Sequence, residues 1–127
     1  MGRGPAKLSV KPADKTSLHL RIDFGDGRSI GPGKIRLLEL INETGSISAA
    51  GRALEMSYRQ AWLLVDELNR MFKKPVVSAQ TGGGGGGGTV VTEAGNTVVR
   101  LYRDMEQRAY GASTSDVRAL GRLVSKW

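Results

Sequence analysis

A chain of 127 residues with 39% hydrophobic side chains is long enough to bury one domain's core without covalent staples. It has no cysteine, which excludes a disulfide framework, a thiolate zinc site and a cysteine nucleophile. Lys and Arg number 19 against 12 Asp and Glu, and the resulting net charge of +7 favours a polyanion (DNA, RNA or an anionic membrane face), unless it is only a solvated basic surface.

Residues 1–16 hold Gly, Pro, Lys and Ala without periodicity and predict a disordered basic arm. They lack the apolar block of a secretory signal, and Ala6 stands where the myristoylation pattern needs Ser or Thr. No apolar run approaches the roughly 18 residues that span a bilayer, so the expectation is a cytoplasmic protein. From Ser17 to Phe24 the pattern alternates, with Leu18, Leu20, Ile22 and Phe24 on one face and Ser17, His19, Arg21 and Asp23 on the other. That predicts a half-buried strand, broken at Gly25-Asp26-Gly27. His19, the single histidine, lies on the polar face away from other ligating groups, so no metal site is expected.

Pro32 suits the first position of a helix whose apolar face is Ile35, Leu37, Leu38, Leu40 and Ile41. Gly45 is its left-handed cap, and Lys34 and Arg36 are expected on the exposed side. This helix is scaffold.

Residues 46–72, SISAAGRALEMSYRQAWLLVDELNRMF, split into a short helix, a tight turn and a longer helix. Ser46 caps the first helix and Ser57 the second. Ile47, Ala50 and Leu54 share a face, and Gly51 makes sense mid-helix if the second helix crosses close to it. The second helix buries Ala61, Leu64, Val65, Leu68, Met71 and Phe72, while Arg59, Trp62, Leu63, Asp66 and Arg70 point away, with Tyr58 at the margin. An exposed first turn of Ser57, Tyr58, Arg59 and Gln60 suits base edges and phosphates, which is what the second helix of a helix-turn-helix contacts. The same pattern also fits a surface helical hairpin with a solvated basic face.

Val76–Gln80 and Thr89–Thr92 predict two short strands around Gly82, Gly83, Gly84, Gly85, Gly86, Gly87 and Gly88: a hairpin with a mobile tip, placed as a wing after a recognition helix. No Gly-Lys-Ser/Thr follows the glycines, which argues against a nucleotide-cradling loop. A helix capped by Thr92 is then expected over 93–110, ended by Gly111, with Val98, Leu101, Tyr102, Met105 and Ala109 sharing a face that covers the sheet, pairs with a second copy, or does both. Arg100, Arg103 and Arg108 are spread over its other sides, and residues 111–127 predict a short tail with helical spacing. With one exposed histidine and no carboxylate pair at catalytic spacing, an enzyme is not expected.

The run GKIRLLELINETGSISAAGRALEMSYRQAWLLVDELN, followed by TGGGGGGGTVVTEAG, resembles the DNA-binding domain of ModE-type molybdate-responsive regulators. More loosely, it is similar to the helix-turn-helix domains of LysR-type regulators. The resemblance covers about residues 17–108 and rests most on Gly45-Ser46-Ile47-Ser48, on Met56-Ser57-Tyr58-Arg59 with Ala61-Trp62, and on the glycine-rich wing closing at Thr92 and Gly95. It implies a mainly α winged helix-turn-helix with a small antiparallel sheet, a dimer that reads an inverted-repeat operator in double-stranded DNA. Tyr58, Arg59 and Trp62 would then lie at the groove with Ser57 and Gln60, Arg52 would bond phosphate, Ser46 and Ser48 would join the interface, and the wing glycines would lie over the backbone. Two departures stand out. Glu55 occupies a turn position where many such motifs use glycine, and residues 111–127 are too few for the oxyanion-binding domain that follows in that family. No molybdate cofactor is therefore expected: either binding is constitutive or a separate protein senses. The expected function is a DNA-binding transcriptional regulator in molybdenum or oxyanion metabolism, and the alternative is a winged-helix protein-interaction module that does not itself read DNA.

Overall fold

The structure, a computed structural model, describes residues 15–80 and 88–125. The expected basic arm lies almost wholly outside them, as do the wing glycines Gly82 to Gly87. The chain divides into two compact units, 21–100 and a second whose described residues are 15–20 and 101–125.

The first unit is mainly helical with two small antiparallel hairpins. It opens with β1 (Ile22–Gly25) and β2 (Arg28–Ile30), which pair Ile22 with Ile30 and Asp23 with Ser29. This corrects the strand expected over Ser17–Phe24: the segment Gly25-Asp26-Gly27 is a turn rather than an end. Asp26 and Gly27 have φ of 55° and 77°, the two positive values that a two-residue hairpin turn needs. Phe24 is exposed on one side but meets Phe72 edge-on, with ring centroids 5.8 Å apart.

Helix α1 (Pro32–Thr44) follows, with Pro32 in its first turn and Gly45 at φ 71° donating its N–H to the Ile41 carbonyl. Its five expected apolar side chains are all buried and centre the core, with α2 (Ile47–Ala53), α3 (Tyr58–Met71) and the strand Gly88–Val91 packed around it. Burial on this scale contributes on the order of 8–15 kcal/mol before the entropy of ordering is counted. Lys34 is not on the exposed side as expected. Its ammonium donates to the Ser29 carbonyl at 2.8 Å and to Glu67 at 2.9 Å, so it ties β2 to α3 and is largely covered.

β3 (Val77–Gln80) pairs with β4 (Gly88–Val91), in register from Val77–Val91 to Gln80–Gly88. Thr92 caps α4 (Glu93–Leu123), accepting from the Gly95 N–H at 3.0 Å while donating to the Pro75 carbonyl at 2.7 Å. The helix does not stop at Gly111, which corrects the expected end at 110 and the separate short tail. A mid-helix glycine costs about 1 kcal/mol, which the turns on either side absorb. Residues 112–123 continue the helix without a break.

The second unit contains the later part of α4. Tyr102 is fully buried there, and its hydroxyl donates to the Leu20 carbonyl at 2.8 Å. It cannot serve as the exposed self-pairing residue expected of it, because the chain itself covers it. Leu101 remains about half exposed, and Met105 and Ala109 are partly covered. Arg103, expected off the shared apolar face, is largely covered. It donates to Glu106 at 2.7 Å, and Glu106 is only 3% exposed.

Candidate nucleic-acid interface

The interface begins with two capped helices held at a close crossing. Ser46 accepts the Ala49 N–H at 3.0 Å, and Ser57 accepts the Gln60 N–H at 3.1 Å. Each cap satisfies one backbone donor that has no partner inside its helix. Gly51 is buried where a Cβ would come within 2.9 Å of the Ala61 Cβ, so any larger residue would push α2 and α3 apart.

The turn between them closes with two backbone bonds, Glu55 N–H to the Arg52 carbonyl at 3.0 Å and Met56 N–H to the Gly51 carbonyl at 2.9 Å. This is the Schellman pattern that commonly ends a helix on glycine. Here Glu55 takes the left-handed position, at φ 60°. The departure noted in the sequence is therefore a residue holding a glycine conformation, at a cost of about 1–2 kcal/mol.

α3 buries Ala61, Val65 and Leu68 and turns the opposite face outward. Tyr58 is 59% exposed and Trp62 47%, and Ser57, Arg59 and Gln60 are also exposed. Among the described residues Arg59 has no ion-pair partner, whereas Arg70 one turn beyond Asp66 pairs with it at 3.1 Å. Arg52 donates to the Ser48 hydroxyl at 2.9 Å, so these two expected contacts form one unit on α2.

Ser46, Ser48, Tyr58 and Gly88 come together around an open groove of about 330 Å³, lined also by Gly45, Ile47 and Thr89. Gly88 belongs to β4 and is not loop, as the sequence reading had it. Thr89 donates its backbone N–H to the Gly45 carbonyl at 3.0 Å and so pins the base of the wing against the turn after α1. Thr89 was missed; its one signal is that it directly follows the glycine run. A second anchor was also missed. Asn69 on α3 accepts the N–H groups of Val76 and Val77 at 2.8 and 3.0 Å, fixing β3 to α3. Val98, Leu101, Met105 and Ala109 are not part of this groove. Among the described residues no group of three His, Cys, Asp or Glu side chains is placed to hold a metal ion, and no helix is long and apolar enough to cross a membrane.

Two helices crossing at a tight turn, with a β-hairpin directly after the second, define a winged helix-turn-helix domain. No family model matches the chain. It is 32% identical over 116 residues to the molybdenum transport protein ModE of Azotobacter vinelandii, covering 83% of this chain and 43% of that protein. It is 44% identical over 94 residues to the molybdenum-pterin-binding protein MopA of Rhodobacter capsulatus, covering 74% and 33%. It is 35% identical over 88 residues to the DNA-binding transcriptional dual regulator ModE of Escherichia coli (strain K12), covering 67% and 34%. The chain therefore carries a ModE-type domain, and it spans less than half the length of these relatives.

Proposed function

We propose that this chain is a transcriptional regulator in molybdenum metabolism that binds an inverted-repeat DNA operator as a dimer, with α3 in the major groove. One observation carries the reading: the first two turns of α3 present Tyr58, Arg59, Gln60 and Trp62 to solvent on a helix locked at both its cap and its crossing with α2. An arginine and a glutamine so placed can make bidentate bonds to guanine and adenine edges. The Ser48–Arg52 pair and the groove at Ser46, Tyr58 and Gly88 offer hydroxyl and cationic groups for the backbone, and the charge of +7 supplies the long-range attraction. A link to molybdenum comes from the relatives named ModE and MopA.

The test is selection of bound fragments from genomic DNA with the purified chain. Enrichment of inverted repeats with half-sites one helical turn apart, about 34 Å, is the expected result. Recovery without any common sequence would overturn it.

A further inference from the structure

We infer that α3 reads thymine 5-methyl groups next to the base that Arg59 contacts, using Tyr58, Trp62 and Leu63; this rests on the DNA-binding reading above. The three side chains are 59%, 47% and 46% exposed and fall within the first two turns of the helix. At 3.6 residues per turn, Tyr58 and Trp62 stand about 100° and about 60° to one side of Arg59, and Leu63 about 40° to the other. Apolar surface thus flanks the guanidinium on both sides.

The fold leaves roughly half of each of these side chains uncovered. The core side of α3 is Ala61, Val65 and Leu68, each 5% exposed or less, and the ring pair found among the described residues is Phe24 with Phe72. Phosphates call for hydroxyls, N–H groups and cations, so the Tyr58 hydroxyl can reach the backbone, but Leu63 and the ring faces of Tyr58 and Trp62 have no use there. Within the major groove the apolar feature of a base edge is the thymine methyl, and apolar side chains are what recognise it. An arginine bidentate to guanine with apolar neighbours on both sides fits a G·C pair flanked by A·T pairs whose thymine methyls point toward α3.

The experiment uses the full chain and the sequence most strongly enriched from genomic DNA. That duplex is synthesised twice, once with thymine and once with deoxyuridine in its place, so that the two differ only in the methyl groups. Binding to the deoxyuridine duplex is expected to be weaker by about threefold to fourfold for each methyl contacted. Trp62→Ala is expected to bind both duplexes with a reduced difference, and Tyr58→Ala likewise through a different base pair. Arg59→Ala is expected to keep the thymine preference while losing discrimination at guanine. Equal affinity of the unaltered chain for the two duplexes overturns the methyl reading and leaves DNA binding standing. Failure to enrich any sequence overturns both.

Discussion

Asn69 and Val77 are joined twice: the Asn69 amide donates to the Val77 carbonyl at 3.0 Å, and its oxygen accepts the Val77 N–H at 3.0 Å. The same oxygen also takes the Val76 N–H at 2.8 Å. One side chain on α3 therefore stands in for a neighbouring strand and fixes where the hairpin starts relative to that helix. Val76 and Val77 are nearly fully buried, so their backbone groups have no water to fall back on. Asn69→Ala is expected to destabilise the chain by about 2–4 kcal/mol, because buried donors are left without acceptors. Urea denaturation followed by circular dichroism measures this, and a loss under about 0.5 kcal/mol would show that the clamp contributes little.

The interface was legible where its causes are local. Ser46 and Ser57 announced their helices because a cap depends on the next three residues, and Gly51 announced the crossing because a glycine in a helix needs a reason. What stayed hidden depends on distant partners. Lys34 reads as a surface cation until Glu67 and the Ser29 carbonyl are brought to it from other elements. Asn69 reads as one more polar residue near a helix end until β3 arrives. The β1–β2 hairpin is a different case, since Asp26-Gly27 between two strands is a local turn signal, although without the short second strand in view it reads as a simple break. Gly111 misled for the opposite reason, because a glycine's local cost does not decide the fate of a helix with helix-forming turns on both sides.

Gly51→Ala tests the crossing. In an open helix the change would add about 1 kcal/mol of stability through helix propensity. Here the new methyl meets the Ala61 Cβ at 2.9 Å, and both positions are buried. Overpacking is expected to win, for a net loss of about 1–3 kcal/mol. Adding Ala61→Gly should recover part of it, since the second change removes the atom that the first one strikes. If the two losses simply add, the helices are not in the contact described.

Arg59→Ala tests the reading face. Arg59 is exposed and has no ion-pair partner among the described residues, so stability should change by no more than about 0.5 kcal/mol. Affinity for the selected operator should fall by about 1–3 kcal/mol, with relaxed preference at one base position. Arg52→Ala is expected to behave differently: a similar loss on all sequences, and a salt dependence shallower by about one phosphate contact. Anisotropy titrations at several salt concentrations separate the two, and unchanged selectivity in Arg59→Ala would remove α3's crest from the reading surface.

Tyr102 gives the second unit a pH signature. Burial, reinforced by the negative charge of Glu106, pushes its phenol from 10.0 up to about 12, while the Arg103 cation pulls the other way. The unfolded chain ionises this group near pH 10 and the folded chain only near 12, so folding opposes loss of the proton. The stability it contributes is fully present below pH 10 and falls as pH rises through that window, by about 1.4 kcal/mol per unit. Denaturation curves taken from pH 8 to 12 are expected to show this fall. Tyr102→Phe should cost about 1 kcal/mol at neutral pH through the lost hydrogen bond and should flatten the alkaline fall. A variant that loses stability above pH 10 as steeply as the unaltered chain would place the alkaline transition on another group.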